Sequence, residues 1–192
     1  MAFRIQDFRS QMVFDGARPN LFECSMTFPL IAVAEGDPQR KFTFMARAAQ
    51  LPGSTVNQIP VNYFGRELKF AGNRTFAEWT VTIINDEDFV IRKAFERWMN
   101  GLNGHVGNLR DVTMINGSGA GGGYQQDAYV VQYGKTGGEI KAYRFVGMFP
   151  IDLSPIELDW GANDSIEEYA VTFAYQWWES DDQLPTTDTS GA

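Results

Sequence analysis

Apolar and polar residues alternate along most of this chain, which is the pattern of β-strands with one buried face. The segments with this pattern are 20–28, 40–48, 65–72, 76–85, 124–134, 139–150 and 165–179. The four residues KTGG at 135–138 separate two of these segments and predict a hairpin turn. The pattern therefore predicts a mainly β protein.

Residues 85–101 depart from this period and predict the single α-helix of the chain, at about 86–100. Its apolar residues recur at helical spacing and are Ile91, Ala94, Phe95, Trp98 and Leu102. Asn85 or Asp86 is expected to cap the start, and Gly101 to end the helix in a left-handed conformation. Phe95 and Trp98 should hold this helix against the sheet.

Three segments carry no clear strand or helix pattern. Residues 51–65 (LPGSTVNQIPVNYFG) contain two prolines and two glycines and are interpreted as a long excursion between strands, a kind of segment that is usually functional or disordered. Residues 116–123 (NGSGAGGG) are interpreted as a flexible loop between two strands. Residues 180–192 are acidic, small and polar, and are expected to form a mobile tail.

The composition narrows the possible functions. The chain has 192 residues, a net charge of −8 and an aromatic content of 14%. The acidic balance argues against binding of nucleic acid or acidic membranes by charge attraction, and no apolar run approaches the roughly 18–20 residues of a membrane span. The only cysteine, Cys24, lies on an apolar strand face and is interpreted as a core residue.

The candidate chemical motifs do not reach the requirements of a cofactor site or an active site. Gly117, Gly119 and Gly122 fit the spacing G-x-G-x-x-G, but a dinucleotide loop must lead into a helix, and these glycines lead into a segment of period two. His105 is the only histidine, so one chain cannot assemble a zinc site from histidine and cysteine. We therefore predict that the protein is not an enzyme and binds no cofactor or metal.

Tryptophans leave a second class of function open. Trp160, Trp177 and Trp178 could stack sugars on a flat sheet face, as in a carbohydrate-binding β-sandwich. In the alternative interpretation, Trp177 joins the buried stripe of its strand and Trp178 faces a partner or a loop.

Longer segments of the chain resemble a known family. They are ARPNLFE (17–23), the stretch from Ala49 to Trp98 and PIELDW (155–160). They resemble the tail tube proteins of contractile-tailed phages of the T-even type. The resemblance covers residues 17–98 and 128–179. Its most specific parts are Leu51-Pro52-Gly53, Ile59-Pro60-Val61 and the run from Ala71-Gly72 through Arg74-Thr75-Phe76 to Trp79-Thr80-Val81, and Leu158-Asp159-Trp160 adds to them.

This resemblance implies a fold, an assembly and a set of partners. It implies a β-barrel-like sandwich with one flanking helix at 17–179, after an N-terminal arm at 1–16. Copies of the chain would form six-membered rings stacked into a hollow tube, with sheath protein around it and baseplate and tail terminator proteins at its ends. The tube would be made in the host cytoplasm and lie in the virion tail, and DNA would pass through it without specific binding. Inner tubes of tailocins and injection systems share this fold and are not distinguished by the sequence.

Charge and apolar content indicate which residues would serve such a tube. Six copies of a chain of net charge −8 carry −48, so Asp and Glu on one strand face are expected to line the channel and repel DNA phosphates. The ring-stacking segment is predicted at Leu51, Pro52, Gly53, Val56, Ile59, Pro60, Val61, Tyr63 and Phe64, although this segment could instead fold over its own core. Secondary assembly candidates are Arg18, Phe22, Arg74 and Trp178, together with the N-terminal arm.

Overall fold

The computed structural model describes residues 4–12, 16–33, 36–114 and 123–181. The helices are α1 (Ile5–Gln11), α2 (Pro38–Met45) and α3 (Val90–Leu102). The strands are β1 (Phe22–Met26), β2 (Ala46–Ala49), β3 (Ser54–Tyr63), β4 (Arg66–Phe76), β5 (Trp79–Ile84), β6 (Gln126–Tyr133), β7 (Glu139–Leu153), β8 (Glu168–Ala174) and β9 (Trp177–Ser180). The prediction of a mainly β protein is confirmed.

The strands form two antiparallel sheets that share the long strand β7. The first sheet has the order β1-β6-β7-β9 and the second has the order β7-β8-β5-β2. Residues 139–148 of β7 pair with β6, and residues 149–153 pair with β8. Inner faces of the two sheets meet in the core, where the rings of Trp79 and Phe145 stack with centroids 4.5 Å apart. Strands β3 and β4 form a separate two-stranded sheet.

The strand β7 passes from one sheet to the other at Gly147. This glycine has φ 65°, and a Cβ added to it would come within 2.9 Å of Gln176 Cγ. Its amide donates to Asp127 Oδ1 at 3.2 Å, and the other oxygen of Asp127 accepts from Arg144 Nη2 at 2.6 Å. Glycine is suited to this corner because other residues rarely adopt a positive φ. The turn predicted at KTGG is confirmed, with the amide of Gly134 donating to the carbonyl of Gly138 at 2.8 Å.

Helix α3 covers the core through the residues that the sequence pattern predicts. Phe95 and Trp98 are fully buried, with the Phe95 ring 5.7 Å from Phe173 and the Trp98 ring 5.9 Å from Phe28. Trp98 Nε1 also donates to the carbonyl of Tyr124 at 3.0 Å. The buried aromatic contacts therefore join α3 to β8 and to the chain that follows β1.

The ends of α3 differ from the prediction of about 86–100. The helix begins at Val90, after Phe89 in the left-handed conformation at φ 54°. The carboxylate of Asp88 accepts from the amide of Val90, while neither Asn85 nor Asp86 caps the helix. Gly101 is a buried residue of the last turn and does not lie beyond it. A Cβ there would lie only 3.2 Å from Ile31 Cδ1, so the position is tightly packed. A glycine in such a position resembles a helix stop in the sequence.

The strand predicted at 40–48 is wrong, since most of it is helix α2. Asp37 caps this helix by accepting from the amide of Arg40 at 3.1 Å, and Pro38 is its first residue. Both residues are favourable at a helix start. Phe42 is buried, but Phe44, which the alternation places on the same face, is 74% exposed. With α1 and α2, the described chain has more helices than the single one predicted.

Residues 165–179 do not form one strand. They contain β8, which pairs with β5 and with residues 149–153 of β7, and β9, which pairs with residues 143–146 of β7 in the other sheet. Because the chain turns between these strands, Trp177 lies exposed on the outer face, whereas Trp178 is half-buried and packs against the core. The prediction that Trp177 joins the core is therefore wrong, whereas Trp178 packs against the core and also contacts the loop residue Gly53. Ser180, predicted to start the tail, is buried and ends β9.

Candidate assembly surface

The segment predicted as an excursion is one strand of a β-hairpin. Strands β3 and β4 pair from Ser54 opposite Phe76 to Tyr63 opposite Arg66. The two residues between the strands, Phe64 and Gly65, both have positive φ (46° and 79°), as a type I′ turn requires. Residues 51–65 were interpreted as irregular because prolines are unusual in paired strands. A proline is tolerated at a sheet edge, and within the described ranges β3 pairs with β4 alone.

The hairpin has one apolar face, which we call the apolar hairpin face. The register places Ile59 opposite Phe70 and Val61 opposite Leu68, and Tyr63 continues the same face. These five side chains are 46–65% exposed. The opposite face, which is mainly polar, carries Gln58, Pro60, Asn62, Glu67, Lys69 and Ala71. Leu68 and Phe70 were absent from the predicted set, although their alternation with Glu67 and Lys69 was a signal for them.

A bulge interrupts the pairing in the middle of the hairpin. The register shifts between Val56, opposite Arg74, and Gln58, opposite Ala71. At the bulge, a Cβ added to Gly72 would come within 2.9 Å of the carbonyl oxygen of Asn57. A bulge bends and twists a strand pair, so this position sets the direction of the hairpin tip.

The base of the hairpin is fixed to the body of the protein. Trp178 Nε1 donates to the carbonyl of Gly53 at 3.2 Å, and Trp79 Nε1 donates to the carbonyl of Gln50 at 2.8 Å. The ring of Phe76 lies 6.1 Å from that of Tyr175. Both strands of the hairpin are therefore anchored at the base, although every residue of β3 is exposed.

The remaining predicted assembly residues lie in different places. Leu51 is exposed before β3, and Phe64 at the hairpin tip is 92% exposed with its ring 4.5 Å from that of Tyr63. Arg18 and Phe22 lie near the start of β1, where the carbonyl of Arg18 accepts from Gln132 Nε2 and Phe22 packs partly against the core. The structure thus places the predicted residues between 54 and 64 and Arg74 in one hairpin. Arg18 and Phe22 lie in a separate region, at the start of β1.

The N-terminal arm includes a short helix with no buried residue. In α1 the apolar residues Ile5 and Phe8 are 83% and 67% exposed. Residues 182–192 of the predicted tail and 116–122 of the glycine-rich loop lie outside the described residues. The chain enters that loop from a short 3₁₀-helix at Val112–Met114 and leaves it into β6. The interpretation that it connects two strands is therefore wrong, and it does not lead into a helix.

The residues considered for chemistry are not arranged as an active site in the described part of the chain. Burial raises the pKa of the Cys24 thiol to about 12, with a smaller contribution from the charge of Glu23, so this residue stays a protonated core thiol. His105 lies exposed in a turn. No group of three or more His, Cys, Asp or Glu side chains in the described ranges is placed to hold a metal ion. Among the described helices, none has the length and apolar character needed to cross a membrane.

An acidic cluster in which two carboxyls have lowered pKa values has a structural role. Lys41 on α2 forms ion pairs with Asp86 and Asp88, which lie in the turn before α3. Hydrogen bonds from the Lys41 ammonium, with its positive charge, hold the pKa of both carboxyls below its ordinary value. This cluster fastens α2 to the start of α3.

The tryptophans considered for sugar stacking do not share one flat face. Trp177 and Trp178 are adjacent in β9 and therefore point to opposite sides of the sheet. Trp160 is fully exposed in the segment between β7 and β8. The aromatic surface that the structure does gather in one place is the apolar hairpin face.

Solved structures place this fold in a class of proteins. One similar chain comes from the tube terminating cap of the anti-feeding prophage, with a TM-score of 0.60, 16% identity, and coverage of 94% of this chain and 98% of that one. Another comes from the sheath–tube complex of the PVC extracellular contractile injection system, with a TM-score of 0.55, 13% identity, and coverage of 93% and 98%. The fold is therefore one found in contractile injection machines.

The sequence comparisons identify the family within this class. The profile of the phage tail tube protein family matches residues 17–181. The tail tube protein gp19 of Enterobacteria phage T4 is 34% identical over 166 residues, which cover 86% of this chain and 92% of gp19. The tail tube protein of Serratia phage KSP90 is 26% identical over 89% of this chain and 93% of its own length. The chain belongs to the phage tail tube protein family, whose members are structural proteins of the virion tail. The predicted resemblance is confirmed.

Proposed function

We propose that this protein assembles into six-membered rings that stack into the inner tube of a contractile phage tail. The observation that carries this proposal is the apolar hairpin face, five large side chains that stay exposed on an anchored hairpin of a tail tube family member. An isolated two-stranded hairpin is at best marginally stable in water, and exposed apolar patches mark interaction surfaces. Packing against another copy would provide the missing partner.

Open sheet edges support the same proposal. Strand β1 has β6 as its only described neighbour, and β2 has only β5. Exposed edges of this kind are commonly covered or paired in native proteins, since they otherwise pair without control. A head-to-tail contact between identical copies closes into a ring when the rotation between them divides a full turn.

The partners follow from the position of the tube in a tail. We propose that sheath subunits surround the tube, that baseplate proteins and a tail terminator bind its ends, and that DNA passes through its channel into the host. The similar solved structures include a sheath–tube complex and a tube cap of injection machines. Sequence identity to phage proteins favours the phage tail over a tailocin or injection-system tube. Capsid and terminase genes beside the coding sequence would establish that choice.

Electron microscopy of the purified protein tests the assembly. We expect rings of six subunits and, as concentration rises, stacks of such rings that form tubes with an open channel. A protein that stays monomeric at every concentration, with no particles of ring size in sedimentation, would contradict the proposal.

A sheet face with acidic side chains is our candidate for the channel wall. The outer face of the sheet β1-β6-β7-β9 carries Glu23, Asp127 and Glu179, together with Arg144, whose charge is paired with Asp127. This face lies opposite the buried side chains of the same strands. Negative charge on a channel wall would repel DNA phosphates and prevent the binding that basic surfaces produce.

Charge reversal on this face should block DNA delivery without blocking assembly. In phage that carry Glu23→Lys and Glu179→Lys, we expect complete tails by microscopy but slowed or arrested DNA ejection, measured as DNA released after receptor triggering. The matched control is Glu78→Lys with Glu87→Lys, which adds the same charge at exposed positions just before and just after β5, in the other sheet. Ejection at the normal rate from the first variant would show that this face does not line the channel.

A further inference from the structure

The hairpin is basic, although the protein as a whole is acidic. Residues 54–76 contain Arg66, Lys69 and Arg74 against one carboxylate, Glu67, in a chain of net charge −8. Arg66 lies at the hairpin tip, opposite Tyr63 and beside the exposed ring of Phe64. Among the described residues, neither Arg66 nor Arg74 forms an ion pair. The tip thus presents aromatic surface and positive charge together.

The segment between β7 and β8 has the opposite charge and a similar apolar content. Residues 154–167 contain Glu157, Asp159, Asp164 and Glu167 and no lysine or arginine. Its apolar side chains are as exposed as those of the hairpin tip, at 80% for Leu158, 100% for Trp160 and 72% for Ile166. Most of this segment, together with the neighbouring residue Glu168, lines a groove of about 540 Å³. We call this surface the acidic loop.

The hairpin and the acidic loop lie at opposite ends of the same sheet. The base of the hairpin adjoins the start of β5, where Trp79 pairs with Phe173 near the end of β8. The acidic loop leads into the start of β8, where Glu168 pairs with Ile84 at the end of β5. The seven residues of β8 separate the base of the hairpin from the end of the acidic loop by about 20 Å at 3.3 Å per residue. Surfaces that are complementary and lie at opposite ends join identical copies head to tail.

We infer that the hairpin tip of one copy docks on the acidic loop of a copy in the next ring. Arg66 then faces the carboxylates of Glu157 and Asp164, and Phe64 packs against Leu158 or Trp160. A guanidinium group can form a charged hydrogen-bonded pair with a carboxylate and can also stack on the face of an aromatic ring. This inference rests on the proposed function, because it requires rings that stack.

Charge reversal on either surface should prevent stacking. The hairpin variant is Arg66→Glu with Arg74→Glu, and the loop variant is Glu157→Lys with Asp164→Lys. Since none of these four side chains forms an ion pair among the described residues, each variant should fold and form rings like the wild-type protein. We expect each variant alone to lose sedimentable tubes at about 0.1 M salt, while single rings remain visible by electron microscopy.

Mixing the two variants gives a sharper test. In the mixture, the hairpin of one variant, with a net charge of −2, meets the loop of the other, whose net charge the two lysines have changed from −4 to zero. The remaining two surfaces keep their wild-type charges. We therefore expect tubes to return when the separately purified variants are combined. Controls with the same charge changes elsewhere, Arg40→Glu with Lys93→Glu and Glu87→Lys with Glu139→Lys, should form tubes without mixing.

The outcomes separate this inference from the proposed function. Wild-type protein that forms no tubes would contradict the proposed function itself. Wild-type tubes together with normal tubes from either reversed variant would overturn the hairpin-to-loop contact, as would a mixture of two stacking-defective variants that fails to recover tubes. Loss of tubes from each variant and recovery on mixing would establish the contact.

Discussion

Replacement of Trp98 by alanine is expected to lower the free energy of unfolding by about 3–5 kcal/mol. The indole is fully buried and packs against the rings of Phe28 and Phe95 at centroid distances of 5.9 and 6.4 Å. Its removal leaves a cavity under α3 and also leaves the carbonyl of Tyr124 without its donor. Urea unfolding of the purified protein, followed by circular dichroism below the concentration at which tubes form, measures the loss.

A second tryptophan provides the control for this change. Trp160 is fully exposed, so Trp160→Ala should change the free energy of unfolding by no more than about 0.5 kcal/mol. The two variants remove the same side chain, and only the burial of that side chain differs. If both variants unfolded at the same urea concentration, the core position of α3 would be wrong.

Lysine at position 61 is expected to abolish tube formation and leave the subunit folded. Val61 lies in the centre of the apolar hairpin face, opposite Leu68 and next in line to Ile59. It is about half exposed in the single chain, so the substitution costs the subunit little. In an assembled tube the same lysine would place a charge in a buried apolar contact. A loss of about 2 kcal/mol at each contact weakens it about thirtyfold, and the six contacts of a ring act together.

The neighbouring residue supplies a matched variant. Asn62 lies in the same strand, but its side chain points to the opposite face, where it sits across from Glu67. Asn62→Lys introduces the same side chain one residue away and should leave tube formation close to that of the wild-type protein. Sedimentation and negative-stain microscopy of both variants at equal concentration provide the comparison. Tubes of normal length from Val61→Lys would exclude the apolar hairpin face as an assembly surface.

Local patterns predicted the elements whose own residues decide their structure. The period-two segments that became β1, β5, β6 and β7 and the helical stripe of α3 are confirmed, because burial of one face imposes a period on the sequence. Segment 40–48 was wrongly predicted as a strand because Phe42 and Phe44 alternate with polar residues. The helix-capping residue Asp37 was a stronger indication of a helix. In this segment the residues at the helix start favour a helix, whereas the alternation of apolar residues favours a strand. The segment is helical, with Phe42 buried in the core and Phe44 exposed.

The candidate assembly surface was predicted in part. The apolar side chains of 51–65 indicated a contact segment, but the sequence pattern did not show that β4 completes it with Leu68 and Phe70. The prediction also placed Trp177 in the core. The choice between Trp177 and Trp178 depends on where the chain turns after β8, and that turn is fixed by pairing with Val146 across the sheet.

The sequence by itself determined the strand-rich class, the helix α3, the acidic balance and the family, because each of these depends on residue types and their spacing along the chain. Only the tertiary structure decided how β7 divides between two sheets at Gly147, which residues form the apolar hairpin face, and that a basic hairpin and an acidic loop lie at opposite ends of one sheet. These features depend on pairing between residues far apart in the chain. Such pairing is set by the packing of the whole core, and no local period records it.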